Sequence, residues 1–192
     1  VTMFVVFGCL AGAIVWNLIT WWLGMPTSSS HALIGSLVGA SVIANGWSVV
    51  IGDGLFKILT FIVAAPIIGF VLGASINTVI RNICNTESEI QDKWFRRLQL
   101  FSSACYSMGH GANDAQKTAG IVFLIMLASG LIVKGDPIPM WAIYTSFVVM
   151  GLGTLVGGWR IVQTLGFKLT QLSPRQGFAA ETGGSVMLFI AS

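Results

Sequence analysis

The feature that most constrains this chain is its opening run. Residues 1–23 carry no charged side chain, and Thr2, Asn17 and Thr20 are its polar exceptions. A helix needs about 20 mostly apolar residues to cross the hydrocarbon core of a bilayer. At that depth the backbone must satisfy its own hydrogen bonds, which makes a helix the natural form of such a run. The composition extends the argument to the whole chain. Only 9% of the 192 residues are charged and 55% are hydrophobic, whereas a soluble domain averages about 25% charged residues. Seven tryptophans and twelve phenylalanines suit lipid contact and interfacial belts. The net charge of +3 is small and reports cytoplasmic loops, not a nucleic-acid surface. The expected class is an all-α polytopic membrane protein with the lipid bilayer as its solvent.

The remaining segments follow in order. Trp16, Trp21 and Trp22 lie near the end of the first run, and Gly24 and Pro26 close it. Ser28, Ser29 and Ser30 suit the N-cap and first turn of a second helix. The apolar part of that helix, 32–44, is only about 20 Å long, short for a crossing, which suggests a half-length or re-entrant helix. Residues 45–54 form a glycine-containing link, and 55–80 a long helix kinked near Pro66 and Gly69. Segment 81–97 carries Arg81, Glu87, Glu89, Asp92, Lys93, Arg96 and Arg97. It reads as a hydrophilic, cytoplasmic loop between membrane helices in 1–80 and in 98–192.

Residues 98–133 are too long for one straight span and read as two part-helices joined at glycines. A turn at 134–139, a span at 140–158 and a polar loop at 159–178 follow. A last membrane segment, 179–192, has Glu181 in its first turn. Loop charge places 81–97 and 159–178 in the cytoplasm and 134–139 outside. Cys9, Cys84 and Cys105 fit no metal spacing and read as free thiols. The chain begins at Val1 within an apolar run and reads as an internal piece of a longer protein.

Two polar stretches interrupt this apolar background. Residues 107–120 contain His110, Asn113, Asp114, Gln116, Lys117 and Thr118, with glycines at 109, 111 and 120. They lie between apolar runs at 98–105 and 121–133. An ionisable group at membrane depth costs roughly 2.5–3.5 kcal/mol on insertion scales, so its default reading is a substrate or ion pathway. Glycines allow the helix to break where it lines a cavity.

The second stretch is 26–31. Its hydroxyls, together with the unpaired N–H groups and positive dipole end of a helix start, make an anion site. The competing reading is an ordinary serine cap beside an interfacial histidine.

Asp114 beside an anion is consistent if the anion carries a proton. A carboxylate accepts a P–O–H group and repels an anion that lacks one, which favours phosphate over sulfate. Asp114 could equally hold Na⁺ together with amide and carbonyl oxygens. Lys117 is either a counter-charge to Asp114 or to the anion, or a snorkelling stem, with the paired reading favoured. Glu181 is either a dipole-favoured acid or a cation ligand. His31 and His110 read as structural histidines. A polar clamp between helices is the plain structural alternative for 113–118.

The motif Gly111-Ala112-Asn113-Asp114, with Gln116, Lys117, Thr118 and Gly120, resembles the signature of the inorganic phosphate transporter family, the low-affinity, cation-coupled type. Residues 26–35, 157–160 and 177–182 also resemble family segments, in the family's order. The resemblance implies an inverted-repeat transporter with broken or re-entrant helices. The chain would span the end of repeat one and the start of repeat two. It implies phosphate contacts from Ser28, Ser29, Ser30, Asn113 and Asp114. It implies a cation path, for Na⁺ or H⁺, through Asn113, Asp114, Gln116, Thr118 and Glu181. No cofactor and no metal beyond Na⁺ are implied. Lys117 departs from the family's first-repeat motif, where Asn is common, and would replace a cation there.

The expected function is cation-coupled phosphate transport by alternating access in a bacterial or archaeal plasma membrane, with a homo-oligomer left open. An intramembrane serine hydrolase and a non-transporting phosphate sensor are the rivals. The first lacks a nucleophile-elbow pattern.

Overall fold

The computed structural model describes residues 2–84 and 88–191, with the side chains of Lys168, Leu169 and Ala191 excepted. Glu87, counted above in the hydrophilic segment, lies outside the described residues, as do Val1 and Ser192. Among the described residues the chain is helical, with no strand. The helices are α1 (Met3–Trp22), α2 (Ser29–Asn45), α3 (Gly52–Ile83), α4 (Glu89–Ala128), α5 (Met140–Gly157), α6 (Trp159–Gln163) and α7 (Pro174–Ala191). A 3₁₀ turn at Trp47–Val49 precedes α3, and a π-turn at Thr164–Leu169 follows α6. Helices α1, α3 and α5 are long and apolar enough to cross a membrane. Phe4 is 88% exposed while Cys9, on the same helix, is fully buried. The exposed apolar faces suit lipid, and this is an integral membrane protein.

The chain divides into two compact units. The first comprises residues 1–52 and 114–170, and its best-packed part is the α1–α2 hairpin. Gly8 and Gly12 of α1 face Ala40 and Ser36 of α2. A Cβ placed on Gly8 would meet the Ala40 Cβ at 3.4 Å, and one on Gly12 the Ser36 Oγ at 3.0 Å. Small residues at i and i+4 on both helices let the backbones approach closely, the usual basis of helix pairing in lipid.

The turn between these helices is closed as expected. Gly24 takes φ +68°, Gly24 N–H donates to Trp21 O at 3.0 Å, and Met25 N–H donates to Thr20 O at 2.8 Å. This is a Schellman C-cap, whose left-handed residue favours glycine. Thr27 Oγ1 donates to Thr20 Oγ1 at 2.9 Å and holds the link. Ser28 is the N-cap of α2 and accepts from His31 N–H at 3.3 Å. The helix starts at Ser29, so it measures 17 residues, or about 26 Å, longer than its apolar part alone implied. At this same end of α1, Trp21 Nε1–H donates to Gly157 O at 2.9 Å, and the Arg160 guanidinium lies 5.4 Å from the Trp21 ring centroid.

The second unit comprises residues 53–113 and 171–192. Ile80, Phe95 and Ala179 form its buried cluster, and Phe95 meets Phe178 with ring centroids 5.9 Å apart. A Cβ on Gly183 of α7 would lie 2.7 Å from Gly73 N of α3, so the two backbones touch at this crossing. Arg175 ties the unit's polar end. Its guanidinium donates to Cys84 O at 3.2 Å and Gln91 Oε1 at 2.9 Å, and it lies 3.5 Å from Asp92 Oδ1.

Three expectations are corrected. First, 98–133 is not a pair of part-helices: α4 runs unbroken from Glu89 to Ala128. An interior glycine costs only about 1 kcal/mol relative to alanine, too little to break a helix at Gly109, Gly111 or Gly120. The break falls instead at Gly130, where φ is +74°. There Leu131 N–H reaches Met126 O at 2.9 Å and Gly130 N–H reaches Leu127 O at 3.2 Å, a second Schellman cap.

Second, most of the described part of 81–97 is helix, continuing α3 to Ile83 and opening α4 at Glu89. Ser88 caps α4 by accepting from Gln91 N–H at 3.2 Å. A 40-residue helix is about 60 Å long, roughly twice the hydrocarbon thickness, so its charged first turns extend beyond the lipid core.

Third, α7 begins at Pro174, inside the expected polar loop, and Glu181 lies two turns into it. Ser173 and Gln176 form a reciprocal capping box. Gln176 N–H donates to Ser173 Oγ at 3.4 Å, and Ser173 N–H to Gln176 Oε1 at 3.0 Å. Cys9, Cys84 and Cys105 are free thiols.

Candidate functional site

In the first unit, α2 and the C-terminal part of α4 bring one hydroxyl, one carboxylate and one ammonium together. Ser30 Oγ donates to Asp114 Oδ1 at 3.0 Å. Lys117 Nζ donates to Ser30 Oγ at 2.8 Å and to Asp114 Oδ1 at 3.2 Å. The three groups close a triangle in which the ammonium donates to both oxygens and the hydroxyl donates its own proton to the carboxylate. Helical spacing explains half of it. Asp114, Lys117, Thr118 and Ile121 stand at i, i+3, i+4 and i+7, so they share one face of α4. The capped start of α2 supplies the other half by aiming Ser30 at that face.

These residues line a cavity of about 340 Å³, together with Ser29, Asn17 and an apolar wall from α1, α2, α4 and α5. The Asp114 side chain is 13% exposed and that of Lys117 45%. The aspartate is thus shielded and the lysine side chain is the more exposed of the pair. Thr118 lines the same cavity, and its hydroxyl donates back to Asp114 O at 3.0 Å.

The second unit has its own polar centre. Ser102 Oγ lies 2.6 Å from Glu181 Oε2 and 3.0 Å from Gln99 O. Gln99 Nε2 is 3.4 Å from Glu181 Oε1. The serine has a single proton for two acceptors, and the shorter contact has the length of a charge-assisted O–H···O⁻ bond. Glu181 also borders a cavity of about 550 Å³ with Asn77, Tyr106 and Gln176.

The comparisons with known proteins bear on the whole chain. The sequence model of the phosphate transporter family matches residues 1–93 and again 84–192. The chain belongs to the phosphate transporter family. It is 46% identical over 193 residues to the probable low-affinity inorganic phosphate transporter of Rhizobium meliloti (strain 1021), covering all of this chain and 58% of that protein. It is 38% identical over 189 residues to the protein of the same description in Bacillus subtilis (strain 168), covering 98% of this chain and 57% of the relative. It is 32% identical over 146 residues to the low-affinity inorganic phosphate transporter PitA of Escherichia coli (strain K12), covering 64% of this chain and 29% of that one. The chain therefore spans about half the length of the first relatives. No solved structure matches it. The relatives are transporters, not enzymes.

Against this phosphate transporter family background, the structure sorts the expected residues. Ser29, Ser30, Asp114, Lys117 and Thr118 come together. Ser28 does not join them: it caps α2 and lines a separate cavity with Thr27 and His31. Gln116 is exposed and is not among the cavity residues. In an unbroken helix it points about 200° away from Asp114. Asn113 is half-buried and belongs to the second unit, as does Glu181.

Asn17, Gln99 and Ser102 entered none of the sequence-based site assignments. Asn17 had a visible signal: it is the polar member of Leu10, Ala13, Ile14 and Asn17, one helical stripe that lines the cavity. Gln99 and Ser102, at i and i+3, gave a similar signal within a run treated as apolar.

Proposed function

We propose that the protein is a secondary transporter that carries inorganic phosphate across a bacterial plasma membrane by alternating access, driven by an H⁺ or Na⁺ gradient. The observation that carries this reading is the Ser30–Asp114–Lys117 triangle on the wall of a cavity. A polyanion entering that cavity meets the Lys117 ammonium and the Ser29 hydroxyl as donors, with the start of α2 behind them. Near neutral pH phosphate keeps at least one proton, which Asp114 can accept. Sulfate has no such proton and leaves the carboxylate as pure repulsion. The names of the relatives point the same way. Glu181, held by Ser102 within its own unit, is the proposed group on the cation path. Asn113, Gln116 and Thr118 are weaker members of that path.

The test is uptake of labelled phosphate into proteoliposomes containing the full-length protein, under separate Na⁺ and pH gradients. Uptake that follows one gradient, resists excess sulfate and is lost in Asp114→Asn supports the reading and names the ion. Intact phosphate binding without uptake under either gradient would overturn it in favour of a sensor.

A further inference from the structure

We infer that the outward face at the start of α4 is a binding surface for the headgroups of anionic phospholipids. None of its residues lines the cavity at Asp114, so the surface stands whatever solute the protein carries.

Over residues 91–102, α4 has two faces. The inner one is held within the second unit. Gln91 accepts from Arg175, Phe95 is buried with Ile80 and Ala179, and Ser102 meets Glu181. Their spacing of i, i+4 and i+11 puts them on one side of the helix. The opposite side carries the cations Lys93, Arg96 and Arg97 and the large apolar side chains Trp94, Leu100 and Phe101. All six are exposed.

The charge on that outer side is unbalanced. Among the described residues no carboxylate lies within ion-pair distance of Lys93, Arg96 or Arg97. Asp92 lies 3.5 Å from Arg175 on the inner side. Glu89, also exposed, sits in the first turn, where the helix dipole favours an acid. Three cations are therefore set against one free acid. The Arg97 guanidinium lies 5.7 Å from the Trp94 ring centroid, so cation and ring form one continuous surface.

Along the axis, the order of side chains is that of a membrane surface. Lys93, Trp94, Arg96 and Arg97 come first, and Leu100 and Phe101 follow in the apolar run. From Trp94 to Phe101 is about 10 Å of helix, enough to pass from headgroups to acyl chains. Tryptophan favours that boundary. Arginine binds phosphate oxygens through paired N–H donors. A zwitterionic headgroup offers the same phosphate but brings its own cation, so the excess positive charge selects a lipid with net negative charge. Each cation close to an anionic membrane surface adds about a fivefold preference.

The experiment is fluorescence quenching by brominated lipid in vesicles containing the full-length protein. The Trp94 signal is the difference between wild type and Trp94→Phe. Phosphatidylcholine vesicles receive increasing fractions of dibrominated phosphatidylglycerol or, separately, of dibrominated phosphatidylcholine. Half-quenching of Trp94 is expected at a mole fraction of the anionic lipid at least about fivefold lower than of the zwitterionic one. High salt should shrink that difference. The triple variant Lys93→Gln, Arg96→Gln, Arg97→Gln should quench equally with both lipids. The charge-conserving variant Lys93→Arg, Arg96→Lys, Arg97→Lys should keep the preference.

Equal quenching of wild-type Trp94 by the two lipids would overturn the inference, leaving plain apolar contact with the bilayer. Quenching by neither would also overturn it, because another part of the protein would then cover this face. A preference that survives in the triple glutamine variant would show that these cations are not its source, with the same result.

Discussion

Ser30 and Asp114 stand 84 positions apart in sequence, yet the Ser30 hydroxyl donates directly to the Asp114 carboxylate at 3.0 Å. That bond joins the first polar stretch of the chain to the second. It makes Ser30 and Asp114 parts of one site within the first unit.

Loss of this bond should be read in binding before it is read in stability. Asp114→Asn keeps the shape but removes the charge that Ser30 and Lys117 both address. A hydrogen bond to a charged group contributes about 1.5–3 kcal/mol, so phosphate affinity should fall roughly tenfold to a hundredfold. Titration calorimetry on the full-length protein measures it. Wild-type affinity in this variant would remove Asp114 from the site.

The serines should separate by role. Ser30→Ala removes the hydroxyl that links Lys117 to Asp114 and should weaken phosphate binding, with Ser29→Ala milder. Ser28→Ala removes a helix cap and should lower thermal stability by about 0.5–2 kcal/mol while leaving phosphate affinity nearly unchanged. A thermal melt alongside each titration distinguishes the two effects. A steep loss of phosphate affinity at Ser28 alone would contradict the assignment.

Glu181 and Ser102 form a second testable pair. Ser102→Ala removes the 2.6 Å partner of the carboxylate and leaves the longer Gln99 contact. If Glu181 lies on the cation path, both Ser102→Ala and Glu181→Gln should change the dependence of uptake on the driving ion, with Glu181→Gln the more severe. Uptake measured against a series of Na⁺ and pH gradients checks this. An unchanged ion dependence in both variants would confine the pair to a structural role.

The helix crossing at Gly73 and Gly183 should tolerate no side chain. Gly183→Ala places a methyl 2.7 Å from a backbone nitrogen, and backbone cannot move aside as a flexible side chain can. Overpacking of this kind costs about 1–3 kcal/mol. The expected result is a lower melting temperature in detergent than for Gly69→Ala, a position with no close neighbour.

The spans α1 and α5 were readable because long apolar runs leave the chain few alternatives. Ser28 was readable as a cap because serine before an apolar helix has a defined backbone role. Asp114 and Lys117 stood out because charge in an apolar setting is costly.

What could not be read was settled by small energies or by tertiary contact. Glycines in 109–120 are compatible with both a broken and an unbroken helix, and the difference per glycine is small. The division of Ser28 from Ser29 and Ser30 depends on which way each faces once α2 has docked. Gln116 entered the cation path by resemblance alone, and only the unbroken helix shows it pointing away from Asp114. The start of α7 was legible and passed over: Ser173-Pro174-Arg175-Gln176 carries both a capping box and a first-turn proline. Reading it would have placed Glu181 at its true depth.

The glycine–serine seam between α1 and α2 also bears on how the chain enters the bilayer. Helix α2 begins with Ser29, Ser30 and His31, carries Ser36 and Ser41 within, and ends at Asn45. By itself it offers the insertion machinery a weak signal, because each polar residue raises the free energy of partitioning. Its neighbour α1 offers a strong one and is joined to it by a short, capped turn. The two are therefore suited to enter as a pre-paired hairpin, with the polar start of α2 carried in by its partner. A bulky residue at Gly12 would then act during biogenesis, as poorly integrated and rapidly degraded chain, before any mature protein existed to be assayed.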